Sequence, residues 1–554
     1  MKSTMSSLLR AGRMVTDGVA AVDVLRRRGM FDLGRPWEIV RSMRDAASVG
    51  PFVTVFAHAV RRDRDAAAIV DERGTLTFGE LDDQSNALAR GLSSSGFGPG
   101  NVLAVLCRDH RGMVLALLAA GKLGVRVVLM NTGFAKPQLA QVAKREGVEA
   151  ILLDSEFIDL LGEIPADIPR ILTWVDHLDS IGATYTTIDA LIAVNSGSAL
   201  PGPDKPGGLV ILTSGTTGTP KGAPRDKVSP LQSAQFLDRV PLPRSSAMVI
   251  AAPCFHGTGL SQLMLGWALN NKVVFQQRKF DPARVLAAVA EHRAATLVLV
   301  PTMLQRIVDL GGGVLEQFDT SQLQVIFAAG SSLSPDLSRR TADAFGDVLY
   351  NLYASTEVAV AAVATPQDMR AAPGTVGRPP VGCRVAIYDE RRRRVTTPGA
   401  VGTIFVSSGL SFAGYTDGRH KEIVDGMLSS GDVGHFDAEG RLFIDGRDDD
   451  MIVSGGENVF PLEVENLLVG RSDVLDAAVV GVDDRDFGKR LRAFVVPATG
   501  SDRDPEQIKD HVRSNLARHK VPRDVIFVDE LPRNATGKLL RRRLEETDPV
   551  ATSD

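Results

Sequence analysis

Leu212-Thr213-Ser214-Gly215-Thr216-Thr217-Gly218-Thr219-Pro220-Lys221-Gly222 decides how the rest of this chain is read. It continues the apolar run Leu209-Val210-Ile211, a buried strand by its composition, and follows a Ser/Pro/Gly-rich loop over 195–208. Gly215, Gly218 and Gly222 free the backbone to turn its N–H groups inward, as an anion-binding nest requires. The hydroxyls of Thr213, Ser214, Thr216, Thr217 and Thr219 add donors, Lys221 adds a positive charge, and no acid interrupts the run. Such a loop suits a polyphosphate, because charge-assisted hydrogen bonds are about twice as strong as neutral ones. The spacing differs from the P-loop of NTPases, since Pro220 precedes Lys221 and Gly222 follows it. Read from residues alone, a solvated hydroxyl-rich surface loop remains the alternative.

At 554 residues the chain exceeds a single core and predicts about two to four folding units. A hydrophobic content of 44% with 23% charged residues is that of a soluble globular protein. The net charge of −4 gives no general attraction for nucleic acid. Cys107, Cys254 and Cys383 stand far apart, so neither a zinc site nor a disulfide framework is indicated and a reducing compartment fits. No apolar run approaches the roughly 20 residues of a membrane span. Arg10, Arg13 and Asp17 break any signal-peptide core, so the expected location is cytoplasmic.

In chain order, residues 1–47 read as a helical extension with an apolar stripe at Leu8, Ala11, Val15, Val19, Val22 and Leu25. Arg10, Arg13 and Arg26-Arg27-Arg28 would let residues 1–28 touch an anionic membrane, though packing on the main unit is the plainer expectation. Ala67–Val70 and Thr75–Phe78 flank a turn and read as a hairpin. From there strands and helices alternate to about 352, which predicts stacked βαβ units with largely parallel sheets. Residues 381–444 read as a small β-rich subdomain. A fresh βα pattern after Asp449 reads as a small, mobile α+β C-terminal domain. The division is therefore an extension to 47, a large α/β domain over 48–446, a hinge at 447–449, a mobile domain over 450–545 and a tail.

Tyr353-Ala354-Ser355-Thr356-Glu357 follows a predicted strand, at the carboxyl end where open α/β sheets bind ligands. Tyr353 can stack on a purine, Thr356 can reach a phosphate, and Glu357 offers Mg²⁺ a hard oxygen ligand. Ala328-Ala329-Gly330-Ser331-Ser332-Leu333-Ser334-Pro335 joins a strand to a helix capped by Ser334. Pro253-Cys254-Phe255-His256-Gly257, Ser430-Gly431-Asp432, Arg447, Ser454-Gly455-Gly456-Glu457-Asn458 and Arg533-Asn534-Ala535-Thr536-Gly537-Lys538 complete the series. Taken singly, His256 would be a structural histidine, and Asp432, Arg447 and Lys538 solvated surface charges.

Together, over roughly residues 50–545 and in family order, these motifs resemble those of adenylate-forming enzymes: acyl-CoA synthetases, luciferases and the adenylation domains of peptide synthetases. Ala354 and Ser430 replace a common Gly and Thr. The resemblance implies ATP, Mg²⁺ and CoA as cofactor and co-substrates. It implies phosphates on Thr213–Lys221, adenine near Gly330, Ser331, Ser332 and Tyr353–Thr356, and ribose on Asp432 with Arg447. It also implies an acyl site at His256, Gly257, Ala329 and Gly330, and Mg²⁺ on Glu357. Lys538 would bridge carboxylate and α-phosphate in the first step. A rotation at Asp449 would then bring Gly455, Gly456 and Glu457 to the thiol in the second. The branch it implies is a fatty-acid–CoA ligase, with Val358, Val360, Ala361, Ala362 and Val363 as an apolar tunnel or, equally, a buried strand. A ligase serving a carrier protein and an aryl-acid–CoA ligase are the alternatives. No Asp stands at the His256 segment to pair an amino-acid ammonium, and too few residues follow Lys538 for a carrier domain. Both argue against a peptide-synthetase module. The pattern Pro532…Gly537-Lys538 also makes Lys538 a candidate for a lysine acetyltransferase, which would remove its charge.

Overall fold

Two β-rich layers with helices between them position everything else. The structure, a computed structural model, describes residues 16–30, 36–176, 185–213, 221–224, 233–276, 279–409, 414–416, 418, 420–454, 457–484, 488–498, 500–534 and 537–546. The predicted hairpin forms as Ala67–Asp71 against Gly74–Thr77, antiparallel at one edge of an eight-stranded sheet. The strands Lys272–Phe275, Ala247–Ile250, Thr296–Leu299, Val325–Ala329 and Leu349–Ser355 follow in spatial order, all parallel, before Ala359–Ala364 closes the other edge antiparallel. A second, seven-stranded sheet runs in order Thr186–Thr187, Arg170–Trp174, Ala150–Asp154, Val102–Leu106, Arg126–Leu129, Leu209–Thr213 and Lys221–Pro224, parallel except at the last pair. Near-continuous Val/Ile/Leu strands are what a parallel sheet covered on both faces demands.

The helices Phe78–Ser94, Arg111–Leu123 and Gly257–Ala268 share one apolar core between the sheets. Trp267 sits at its centre, with Phe52, Phe56 and Phe78 around it at ring separations of 5.6, 5.2 and 6.4 Å, and its indole N–H donates to the Ala68 carbonyl at 3.2 Å. Thr77 caps Phe78–Ser94 through a reciprocal bond with Glu80, and Gly124 and Gly147 end their helices in the left-handed conformation.

The β-rich subdomain is an antiparallel sheet built around Met427–Phe436, with Gly402–Ser407 and Leu442–Arg447 on its flanks. Its core takes in Val358, just before the edge strand, and Ala361 and Ala362 within it, so these three pack in the core rather than lining a tunnel. Ala359 and Val360 of the same strand do reach the cavity described below. After Asp450 a separate sheet, Glu457–Val459, Ile452–Ser454, Gly488–Pro497 and Val474–Asp484 with Asp524–Phe527, carries its own cores.

The N-terminal stripe requires correction. Leu8, Ala11 and Val15 lie outside the described residues, and Val19 and Val22 are exposed. Leu25 is buried as expected, but the helix over 16–27 buries Ala21 and Val24 beside it rather than Val19 and Val22, and Arg28 donates to the Leu237 carbonyl at 2.9 Å. Val19-Ala20-Ala21-Val22 supplies two overlapping apolar arcs, and periodicity alone does not choose between them. The junction placed at 47/48 falls inside Pro36–Arg62, two helical segments joined at Gly50 (φ 79°, ψ 169°) ahead of Pro51.

Removing the central ring should unfold the large domain early. We expect Trp267→Ala to lose about 3–5 kcal/mol of that domain's stability in chemical denaturation. A loss under about 1 kcal/mol would mean that the shared core does not hold the two sheets together.

Candidate active site

The carboxyl ends of adjacent strands open onto one cavity of about 2170 Å³. Ala247–Ile250 leads to His256, Thr296–Leu299 to Thr302, Val325–Ala329 to Gly330 and Ser331, and Leu349–Ser355 to Thr356 and Glu357, all on its wall. This is the end of an open parallel sheet where ligands collect. The antiparallel sheet contributes Asp432 and Arg447, and the C-terminal domain closes the cavity with Arg533, Asn534 and Lys538. Tyr353, Asp432 and Lys538, distant in sequence, therefore share one chamber.

Ser214, Gly215, Thr216, Thr217, Gly218, Thr219 and Pro220 lie outside the described residues, as does the Thr213 side chain. The flanks are placed: Thr213 pairs with Lys221 across an antiparallel ladder. Lys221 lines the cavity wall, its ammonium 4.8 Å above the Tyr415 ring. Gly222 is required by space, since an added Cβ would lie 2.7 Å from the Thr416 hydroxyl and 2.9 Å from Glu146 Oε1.

Glu357 is held for use as a carboxylate. Tyr415 donates to its Oε1 at 2.6 Å and Ser355 to its Oε2 at 3.0 Å. Burial pushes its acidity the wrong way, but those bonds, its own backbone N–H and the Lys421 charge prevail and hold the pKa below its ordinary value. Among the described residues no group of three or more His, Cys, Asp or Glu could hold a metal. A lone ionised carboxylate beside a phosphate loop still fits Mg²⁺, which takes one or two carboxylates plus substrate phosphates and water.

Asp432 accepts from the Tyr353 hydroxyl and faces Arg447 Nη1 at 3.4 Å. Burial nonetheless raises its pKa, against the lowering effect of Tyr353, Arg447 and Lys538. Arg447 also chelates Asp449 through Nε at 2.7 Å and Nη2 at 3.1 Å, so the predicted hinge residue is tied to the large domain's last strand. The Gly330 backbone, at φ 104°, occupies a conformation open to glycine. Ser334 caps the following helix, accepting from the Leu337 N–H at 3.1 Å.

Lys538 projects into the cavity, where its surface meets cavity space while protein surrounds it. That desolvation, then Arg447, lowers its pKa, while Glu357 and Asp432 oppose the fall. Its loop is stiffened from within. Arg533 donates to the Gly537 carbonyl at 2.8 Å and grips Asp476 at 2.8 and 3.0 Å, and the Asn534 side chain accepts from the Lys538 N–H at 2.9 Å. Gly537 has φ 76° and lies so close to Thr302 of the large domain that an added Cβ would collide with that side chain. Gly446 is similar, a Cβ there falling 2.6 Å from the Phe460 ring.

The sequence reading missed three features. Thr302 acts only through a contact distant in sequence, and Arg533 through one such contact, Asp476, besides its local bond to Gly537. Asn351 Oδ1 is buried on the cavity wall without a partner among the described residues, as are Ser331 Oγ and His256 Nε2. An unmet buried acceptor costs about 1–3 kcal/mol, so such groups mark where a polar ligand atom belongs. Gly455 and Gly456 lie outside the described residues, and Glu457, paired with Ser454 in a hairpin, is not on the cavity wall.

A family model described as "AMP-binding enzyme" matches residues 56–416, and one described as "AMP-binding enzyme C-terminal domain" matches 463–538. The chain is 31% identical over 477 residues to an indoleacetate–CoA ligase of Aromatoleum aromaticum, covering 84% of this chain and 91% of the relative. It is 29% identical over 508 residues to a fatty acid–[acyl-carrier-protein] ligase, ScoC, of Streptomyces coeruleorubidus, covering 86% and 93%. Among solved structures it superposes with TM-score 0.75 on the o-succinylbenzoate CoA synthetase of Bacillus subtilis in complex with its acyl-adenylate intermediate, at 25% identity over 89% of this chain and 98% of that one.

Burial and the Lys538 charge lower the pKa of His256 to about 4. Its imidazole is therefore neutral at pH 7, and NMR of the labelled ring should place its midpoint near that value. Lys538→Met should raise the midpoint while leaving it below 6.5, because desolvation persists. Since the unfolded ring protonates near 6.5, this group costs stability as pH falls from 6.5 toward 4. A midpoint at 6.5 in the folded protein would refute the burial argument.

Proposed function

Because the chain belongs to the AMP-binding enzyme family, we propose that it is an AMP-forming acid–CoA ligase acting on a medium- or long-chain fatty acid. The observation that carries the reaction is the meeting of Lys538, Glu357, Asp432, Arg447 and the neutral, unpartnered His256 in one chamber. A carboxylate oxygen of the acid would attack the α-phosphorus of ATP, and the bond to pyrophosphate would break. Lys538 would lie between the two anions and offset their repulsion, while His256 Nε2–H, when that tautomer is present, would orient the carboxylate. Lys221 would disperse charge on the departing pyrophosphate, Asp432 would accept from the ribose hydroxyls, and Asn351 Oδ1 would accept from the adenine amino group. Mg²⁺ held by Glu357 and the phosphates would supply further charge neutralisation.

In the second step the CoA thiol would lose its proton and attack the acyl carbon, and the bond to AMP would break. Lys538 lines the cavity on the C-terminal domain's present face, while Ser454 and Glu457 do not. A rotation at 447–449 would exchange the two, which requires release of the Arg447–Asp449 chelate or movement of its strand with it.

The fatty-acid reading rests on the apolar part of the cavity's lining. It follows the helix Gly257–Ala268 for its whole length, roughly 16 Å of helix rise, and Phe52, Val53, Val127, Leu209, Met264 and Leu265 are on its walls. At roughly 1.25 Å per methylene, from single C–C bonds at tetrahedral angles, that length takes about a dozen methylenes. The relatives named for indoleacetate and 2-succinylbenzoate favour a second reading, an aryl-substituted acid filling the same apolar space.

Two measurements test these assignments. Lys538→Ala should cut acid-dependent pyrophosphate release by about 10²–10³-fold, as loss of one preorganised charge contact does, yet leave thioester formation from supplied acyl-adenylate near wild type. Equal loss of both half-reactions would count against the two-face scheme. Across saturated acids, kcat/KM should climb roughly fourfold per methylene, at about 0.8 kcal/mol each, up to about twelve carbons. Met264→Trp should shorten that optimum. Faster turnover of indoleacetate than of every aliphatic acid would replace the fatty-acid reading with the aryl one. Product that appears only with a carrier protein, never with CoA, would move the chain to the carrier-dependent ligases.

A further inference from the structure

The segment preceding the Gly50 break carries an outward face with an unusual make-up. Trp37, Val40 and Met43 are 63%, 69% and 61% exposed, although residues of this kind are normally turned inward. Trp37, Val40, Arg41 and Arg44 follow the i, i+3, i+4, i+7 spacing of one helical face, and exposed Ala47 continues it. The two acids of this segment, Glu38 and Asp45, are half-buried, and Asp45 is paired with Arg61 at 3.0 Å. The exposed arc therefore offers tryptophan, aliphatic side chains and two guanidinium groups without an exposed carboxylate. That is the chemistry of a helix lying in the interface of an anionic bilayer, with aromatic and aliphatic groups at the acyl boundary and arginines at headgroup level.

The same chain segment continues into the cavity. Val49, Gly50, Pro51, Phe52 and Val53 are on the cavity wall. Met43 precedes Val49 by about 9 Å of helix rise. Gly50 breaks the helix at positive φ three residues after exposed Ala47, so the cavity-lining stretch Val49–Val53 directly follows the exposed face along the chain. No described helix is long and apolar enough to cross a membrane, so such contact would be peripheral.

We propose that the Trp37–Ala47 face docks on an anionic lipid bilayer and sets the Gly50–Pro51 break against it, so that an apolar acid enters the cavity from lipid. The entry step rests on the fatty-acid reading above; the docking does not. Charge favours lipid over a protein partner or a second copy of this chain, because the arc pairs two exposed arginines with an apolar strip rather than presenting a closed apolar patch.

The full chain should co-sediment with vesicles of phosphatidylcholine mixed with phosphatidylglycerol, more weakly with phosphatidylcholine alone, and less as salt rises. Arg41→Gln and Arg44→Gln should each weaken binding to the mixed vesicles about fivefold. The triple variant Trp37→Ser, Val40→Ser, Met43→Ser should abolish binding while keeping wild-type thermal unfolding, since all three side chains are exposed. It should also keep wild-type turnover of a short, water-soluble acid and lose the advantage of a long acid supplied in vesicles. Sedimentation is scored without acid, ATP or CoA, so failure of the fatty-acid reading leaves the docking result intact. No binding to mixed vesicles, binding unchanged in the triple variant, or a wild-type dimer that the triple variant converts to monomer would each overturn the proposal.

Discussion

One ammonium group enters a chamber already occupied by charge, and the architecture is arranged around that entry. Lys538 arrives beside Glu357 and Asp432, which draw it in, and Arg447, which repels it, at a depth where burial favours its neutral form. Such a charge is held only if its loop is rigid and its partners are fixed. Arg533 braces the loop through Asp476 and the Gly537 carbonyl, and Asn534 closes it on the Lys538 N–H. The partners are fixed in turn, Glu357 by Tyr415 and Ser355, Asp432 by Tyr353 and Arg447. The lysine is thus preorganised at the cost of a separate domain to carry it.

Two glycines set how closely that domain can approach. At Gly446 the Phe460 ring occupies the space of a side chain, and at Gly537 the Thr302 side chain does. One lies just before Arg447 and the other beside Lys538, so close packing marks the contact of the C-terminal domain with the large domain at both places. Neither contact predicts the alternative orientation, but both show that the present one admits no bulk. Arg447 joins the two roles, since it faces the Asp432 carboxylate and chelates Asp449 at the joint.

Much of this was legible before any coordinates. The alternation of apolar strands and helices identified the parallel sheets because covered strands need near-continuous Val, Ile and Leu. The elements carrying His256, Gly330, Glu357, Asp432 and Lys538, each singled out by its motif, open onto one cavity. Most of what escaped the sequence reading depends on a partner far along the chain. Thr302 matters because Gly537 leans on it, Arg533 because Asp476 is there to hold it, and Asn351 because nothing described meets its buried oxygen. The N-terminal stripe went wrong for a different reason. Where alanine and valine fill both arcs of a short helix, burial is chosen by the surface it meets, and the main domain took Ala21, Val24 and Leu25.

The apolar lining places that N-terminal region in a new light. A cavity confined to the strand ends would need only the large sheets and the C-terminal lid, and the chain before residue 50 would be dispensable to it. Instead the wall beyond Met264 is completed by Phe52 and Val53, which follow a helix break no regular packing requires. Gly50 adopts φ 79° with Pro51 next, so the second helical segment starts afresh at a residue pre-set for a first turn. Phe52 then reaches Trp267, on the helix that starts next to His256. The cavity wall at His256 and the wall at Phe52 are therefore joined through one helix, Gly257–Ala268.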